Sequence, residues 1–133
     1  MSMIKSIQDW LEQYKGMELL TDQTEEFPSS YALAPSGNNT TSIDILGKRT
    51  YQNSYVFYAK ESASAEIDRQ DTYDFLEGLS LWIEDQADRD DFPQLPGYRV
   101  ESLEVSNAFL AEIDENGTGL YQVQIQIIIS KEQ

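Results

Sequence analysis

Cysteine and histidine are both absent from the 133 residues of this chain. Without them there are no disulfide bonds, no thiolate or imidazole ligands for zinc, no cysteine nucleophile and no histidine-dependent catalytic triad. The sequence also lacks a glycine-rich phosphate loop and a nucleophile elbow. We therefore expect a protein that is not an enzyme, and we assign no catalytic residue, no metal site and no cofactor.

Positive charge is scarce as well. Nine Lys and Arg residues stand against 24 Asp and Glu residues, which gives a formal net charge of −15. This charge repels nucleic-acid phosphates and anionic membrane surfaces, so we expect no direct nucleic-acid binding and no membrane association. A well-solvated, soluble surface explains the acidity most simply; a basic protein partner and mimicry of nucleic-acid charge are the alternatives.

Long apolar runs are missing too. No segment approaches the roughly 20 apolar residues that a membrane-spanning helix requires, and the N-terminus has neither the apolar stretch nor the cleavage site of an export signal. We expect the chain to remain in the cytoplasm in which it is made. Because the composition shows no break, we expect residues 1–133 to form one domain.

The last third of the sequence contains a clear strand pattern. Apolar and polar residues alternate with a period of two from residue 98 to residue 130, interrupted by a turn at residues 114–119. The two apolar sets share one face of the ribbon only in certain registers. The predicted buried positions are Leu103, Val105, Phe109, Ala111 and Ile113 on the first strand and Tyr121, Val123, Ile125, Ile127 and Ile129 on the second.

The turn between these strands decides their register. A two-residue Asn116-Gly117 turn sets the apolar face of one strand opposite the polar face of the other, unless a bulge compensates. We predict instead a three-residue loop at residues 115–117, with Gly117 in the positive-φ conformation that glycine adopts without strain. The resulting pairs are Ala111 with Tyr121, Phe109 with Val123 and Val105 with Ile127.

Two segments have the periodicity of amphipathic helices. The first runs from residue 3 to residue 14, with Ser2 as its N-cap and Gly16 as its stop. The second, longer helix starts after a cap at Ser62 or Ser64 and is stopped by the segment around Pro93. The predicted inward faces carry Ile4, Ile7, Trp10, Leu11 and Tyr14 in the first helix, and Phe75, Leu76, Leu79, Trp82 and Ile83 in the second.

The region between the helices predicts further strands. Short strands are expected at residues 17–20, 31–34 and 42–46, with a polar turn at 38–41, and a longer strand is expected at 51–59. Together with the C-terminal ribbon, these elements predict an α+β fold. We expect a single antiparallel-rich or mixed sheet of four to five strands, on which an N-terminal helix and one longer helix pack.

The side of the longer helix that faces away from its apolar stripe is acidic. Leu81 stands alone there among carboxylates, as in interfaces that surround an apolar anchor with polar groups; an isolated leucine on a solvated face is the plain alternative. The candidate subunit-interface residues are Asp74, Glu77, Leu81, Glu84, Asp85 and Asp88.

The same helix ends among carboxylates, from Asp85 to Asp91, where the helix dipole favours cations. A solvated helix end, a docking point for Lys or Arg side chains of a neighbouring subunit, and a loosely held calcium ion all fit this pattern. The segment lacks the glycine and the distal glutamate of a calcium-binding loop, so it gives little support for a metal.

Six segments carry a resemblance to a known family: YAL at 31–33, YVFYAK at 55–60, FLEGLSLWIEDQ at 75–86, LP at 95–96, NAFLAEID at 107–114 and TGLYQVQI at 118–125. With the order of the elements, they resemble a family of small structural proteins of tailed phages and prophages of Gram-positive bacteria, the minor capsid or tail terminator proteins. The resemblance covers nearly the whole chain, although no short motif in it is diagnostic.

This resemblance implies a tail-terminator-like fold and a structural role at the junction of head and tail. It implies a ring, usually of six subunits, that caps the tail tube in the virion and contacts the head-completion proteins. It implies no catalysis, and the family supplies no fixed site residues. A ring with head-to-tail contacts uses two different patches; the acidic helix face would be one, and a patch carrying Lys48, Arg49, Lys60 or Arg69 the other.

Two other classes of function remain open from the sequence. One is an acidic, phage-encoded binding or inhibitory module that acts on a basic protein partner and stays nearly monomeric. The other is a small hydrolase that uses carboxylates, which would require several acidic residues to converge in a pocket.

Overall fold

The computed structural model describes residues 2–26, 28–43 and 46–131. Within these ranges the chain forms two helices and six strands. In chain order they are α1 (Met3–Leu11), β1 (Leu19–Thr21), β2 (Ser30–Ile43), β3 (Arg49–Ser62), α2 (Glu66–Asp88), β4 (Tyr98–Val105), β5 (Phe109–Ile113) and β6 (Thr118–Lys131).

The strands form one mixed sheet in the order β1-β2-β3-β6-β4, with β5 also paired to β6. β1 runs parallel to β2, and the other pairs are antiparallel. The predicted α+β class is confirmed, with both helices packed on the sheet. The described strands number six rather than four to five, because the linker at residues 106–108 divides the first arm of the C-terminal ribbon into β4 and β5.

The prediction of two short strands flanking a polar turn at 38–41 is wrong. Residues 30–43 form the single strand β2, which pairs along β3. Register shifts at Pro35/Gly37 and Thr40/Ser42 absorb the turn-forming residues as bulges. Pro35 is tolerated because β1 pairs only as far as Leu33, so β2 is an edge strand from there on. Residues 44 and 45 of the predicted strand 42–46 lie outside the described residues.

The three-residue loop of the C-terminal ribbon is confirmed. The Asp114 amide donates to the Thr118 carbonyl oxygen at 2.9 Å, and Gly117 has a φ of 76°. The predicted pairs beyond the loop are wrong, because the register shifts between Leu110 and Glu112. The observed pairs are Leu110 with Tyr121, Phe109 with Gln122 and Val105 with Ile125.

This shift turns the first part of β5 over. Phe109, which was predicted to be buried, pairs with Gln122 of the polar face and is 45% exposed. Ile113 was also predicted to be buried; it lies on the loop side of the shift, pairs with Gly119 and is 54% exposed, and Ala111 is exposed as well. Leu110 packs against the core in their place. The Leu110 amide donates to the Tyr73 hydroxyl of α2 at 3.1 Å, a contact across 37 residues that holds this strand in its shifted position.

The buried face of the rest of the sheet follows the prediction. Val105 of β4 pairs with Ile125, and Leu103 pairs with Ile127, so apolar residues match across β4 and β6. The alternate residues of β6, Tyr121, Val123, Ile125, Ile127 and Ile129, are at most 1% exposed. These residues form the floor on which the helices pack.

Both helices cover this face. Leu76, Leu79 and Ile83 of α2 are fully buried, and the rings of Trp82 and Trp10 lie 5.0 Å apart between the two helices. The predicted apolar stripes are therefore confirmed.

Of the two predicted helix caps, one is confirmed and the other is wrong. Ser2 caps α1 by accepting from the Lys5 amide at 3.3 Å. The predicted cap of α2 at Ser62 or Ser64 is wrong, because α2 begins after Ala65 without a side-chain cap. Ser62 is instead the last residue of β3, where it pairs with Thr118.

The two leucines of α2 that differ most in burial provide a test of this packing. Leu79→Ala should lower the free energy of unfolding by about 2–5 kcal/mol, since it removes buried methyl groups and leaves a cavity. Leu81→Ala, the matched control on the outer side of the same helix, should change it by no more than about 0.5 kcal/mol. Urea denaturation followed by tryptophan fluorescence measures both. Equal losses in the two variants would contradict the orientation of α2.

Candidate subunit interface

The outer side of α2 presents all six candidate interface residues to solvent. Leu81 is 66% exposed, and the five carboxylates around it are exposed as well. They occupy this side because the inward stripe of the same helix is committed to the sheet. We call this surface, made of Asp74, Glu77, Leu81, Glu84, Asp85 and Asp88, the acidic face.

A groove of about 370 Å³ lies beside the acidic face, between α2 and the linker that joins β4 to β5. Its lining consists of Tyr73, Glu77, Ser80, Leu81, Glu84, Asn107 and Ala108. The structure thus brings Glu77, Leu81 and Glu84 together in one concave site. Asp74, Asp85 and Asp88 lie outside its lining, on the exposed surface of the helix.

The wall of the groove opposite α2 is anchored at both ends. At Ser106, the amide donates to the Gln124 carbonyl oxygen at 2.8 Å, and the hydroxyl accepts from the Gln124 amide at 2.9 Å. At Leu110, the amide donates to the Tyr73 hydroxyl, whose ring packs edge-on against Tyr121 at 5.4 Å. The linker residues between these anchors are therefore held in place beside Leu81.

The C-terminal end of α2 is strongly anionic. Asp85 pairs with Arg89 at 3.0 Å, an exposed ion pair of the kind that contributes at most about 1 kcal/mol. The last turn of the helix contains no basic residue, although its dipole favours cations there. The end is tied to α1, because the Trp10 indole N–H donates to the Asp91 carbonyl oxygen at 2.9 Å. This surface is suited to receive cationic groups.

The basic residues expected to complement this face do not form one patch. Arg49 and Lys60 lie at opposite ends of β3, roughly 36 Å apart at about 3.3 Å per residue. Arg69 is used within the subunit, where its guanidinium donates to the Ala63 carbonyl oxygen at 2.6 Å and to Glu66 at 2.8 Å. Lys48 and Arg49 are adjacent in sequence, and Lys48 lies 3.6 Å from Glu101 of its own subunit.

In residues 2–26, 28–43 and 46–131, acidic side chains do not gather in any group of three or more that could hold a metal ion. Among the described helices, none is long and apolar enough to cross a membrane.

Comparisons with known proteins give a match in structure only. No protein-family model matches the chain, and no curated protein sequence matches it. Among solved structures, it is similar to a chain of the virion of a native gene transfer agent (GTA) particle, with a TM-score of 0.53 and 10% sequence identity. The match covers 90% of this chain and 84% of that chain. The two proteins share a fold.

The extent of this match is informative about architecture. Because it covers nine-tenths of the chain, the shared fold includes the greater part of the sheet and its helices. At 10% identity the match gives no ground for assigning the role of a residue in the virion chain to a residue of this protein. The acidic face and the groove are therefore features of this chain's own residues.

Tyrosines near the core have raised pKa values. Burial, together with the nearby carboxylate of Glu61, raises the pKa of Tyr31 to about 12. The Tyr31 hydroxyl donates to Glu61 at 3.5 Å, and its ring stacks on Phe57 at 5.9 Å and on Phe75 at 5.3 Å. Burial also raises the pKa of Tyr55. These phenols stay protonated at neutral pH and act in packing and hydrogen bonding.

The raised pKa of Tyr31 predicts a loss of stability in alkali. Its ordinary pKa is about 10 in the unfolded chain, so its contribution is fully present below that pH and is lost as pH rises through about 12. Tyr31→Phe keeps the stacked ring and removes the ionisable group. The variant should therefore lose less free energy of unfolding than the wild type between about pH 10 and 12. Urea denaturation at a series of pH values measures the free energy of unfolding of both proteins. If the two values fall in parallel between about pH 10 and 12, this prediction is refuted.

Proposed function

We propose that this chain is a non-enzymatic structural protein of a tailed-phage or prophage virion, of the minor capsid or tail terminator type. It caps the tail tube and joins it to the head by assembling into a ring, usually of six subunits. The observation that carries the proposal is the fold shared with a virion chain over nine-tenths of the length. The resemblance in sequence pattern to the tail terminator family supports it independently.

The surface of α2 supports a role in assembly. Leu81 is a large apolar side chain exposed in the middle of a charged face, and the groove beside it has two fixed walls. Interfaces commonly surround such an apolar anchor with polar groups. The acidic face is therefore our candidate for the contact between subunits, with the tail tube and the head-completion proteins as the other partners in the neck of the virion.

The net charge of −15 fits a position at the head–tail junction. DNA that leaves the head must pass such a junction without being held there. An acidic protein repels the phosphate backbone, so it lines or surrounds that path without binding the DNA. During assembly in the host cytoplasm, the same charge keeps the free subunits soluble.

Deletion of the gene tests the role in the virion. In a phage or prophage that encodes the chain, particles made without it should contain heads and tails that are not joined, because the tube end lacks its cap. Electron microscopy measures the ratio of joined to separate particles, and supplying the gene on a plasmid should restore joining. Normal, infectious particles without this chain would overturn the proposal.

Charge reversal tests the acidic face. Asp85→Lys together with Asp88→Lys should reduce ring formation at low salt, because the face then repels the cations of the neighbouring subunit. The difference should shrink near 1 M salt, where the screening length is about 3 Å. Light scattering and sedimentation velocity measure ring formation. Tail tubes are added if the free subunits do not assemble by themselves.

The matched control for this test reverses two exposed carboxylates elsewhere, Glu18→Lys and Glu26→Lys. It makes the same change in net charge outside the acidic face and should leave ring formation close to that of the wild type. Unchanged assembly of the Asp85 and Asp88 variant would remove these residues from the interface.

An acidic inhibitory module is the second candidate, favoured by the same exposed Leu81 and its carboxylates. It predicts a monomer that binds a basic host protein one-to-one with strong dependence on salt. Neighbouring genes separate the two candidates. Portal, major capsid, tail tube and tape-measure genes beside this one favour the virion role.

A further inference from the structure

We propose that the groove on α2 receives residues 46–49 of a neighbouring copy of the same chain, which we call the hairpin tip. Leu46 of the tip is the apolar anchor, and Lys48 and Arg49 pair with the carboxylates of Glu77 and Glu84. This inference rests on the ring assembly proposed above and names the second of its two contact surfaces.

The hairpin tip combines apolar exposure with positive charge. Leu46 is 85% exposed, more than any other large apolar residue among those described. Lys48 and Arg49 form the one pair of adjacent basic residues in the sequence, and both are exposed. Lys48 lies 3.6 Å from Glu101 of its own subunit, longer than the 2.7–2.9 Å of a strong charge-assisted hydrogen bond. The two side chains are 42% and 34% exposed, and exposed ion pairs contribute at most about 1 kcal/mol.

The groove has the complementary chemistry. Leu81 and Ala108 supply apolar surface, and Glu77 and Glu84 lie about one helical turn before and after Leu81. Its volume of about 370 Å³ is at the lower end of the range of roughly 300–1,000 Å³ for sites that enclose a small ligand. A single apolar side chain flanked by two cations fits a site of this size and charge.

A second copy is the occupant because the two surfaces lie in different parts of the fold. The tip ends at Arg49, the first residue of β3, whereas the groove lies beside the β4–β5 linker, and β6 separates β3 from β4 in the sheet. A protruding segment and a groove at different places on one chain produce head-to-tail contacts. Such contacts close into a ring when the rotation between neighbouring subunits permits.

Disulfide cross-linking tests this contact directly, since the natural chain has no cysteine. The test protein carries Leu46→Cys and Leu81→Cys. The control carries Leu46→Cys and Ile67→Cys, because Ile67 is also on α2 and is similarly exposed, at 61%. Under mild oxidation the test protein should give a ladder of dimers and larger species on non-reducing gels. It should exceed the control roughly tenfold, because a disulfide requires Cα atoms within about 4.4–6.8 Å.

A mixture of the two single variants, Leu46→Cys and Leu81→Cys, should stop at dimers that contain one chain of each. Assembly of the wild type, measured by sedimentation with tail tubes present, separates the two proposals. If the wild type assembles and the test protein cross-links no more than the control, the tip does not enter the groove, although the ring stands. If the wild type does not assemble and nothing cross-links, both the ring and this contact are wrong.

Discussion

The burial of alternate side chains along β6 is the constraint on which the structure depends. From Tyr121 to Ile129 these residues are at most 1% exposed, and removing each of the aliphatic ones from water contributes roughly 1.5–3 kcal/mol. β3 pairs along one edge of this strand, and β4 and β5 pair along the other. Because α2 must cover the resulting apolar floor with one stripe, its opposite side is left to solvent. The exposure of the acidic face is thus a consequence of the core.

The parts of the fold that the sequence predicts are those with a repeated local signal. Alternation along β6 and the helical stripe of α2 each recur over many residues, so single exceptions do not hide them. The register shift in β5 accompanies the packing of Leu110 against the core and its hydrogen bond to Tyr73 of α2, long-range contacts for which no local pattern exists. In β2, the turn-forming Pro35 and Gly37 predict a break, but long-range pairing with β3 overrides that preference.

The candidate interface likewise contains residues that the sequence predicts and residues that only the tertiary structure reveals. Glu77, Leu81 and Glu84 were predictable because residues three and four apart share a helix face. The second wall of the groove required the tertiary structure, although the sequence contains a trace of it. Asn107 falls where the alternation of Leu103 and Val105 requires another apolar residue, and that interruption marks the linker that lines the groove.

The charge of the chain limits how copies of it can meet. Each subunit carries −15, and two-fold contact through α2 would place one acidic face against another, at a cost in repulsion. The α2 terminus already holds carboxylates where its dipole disfavours them. In the contact proposed above, the cationic hairpin tip of a neighbour would meet the carboxylates of Glu77 and Glu84 instead. Head-to-tail contact would therefore satisfy the electrostatics that a symmetric pair does not, and such contacts are the geometry that builds rings.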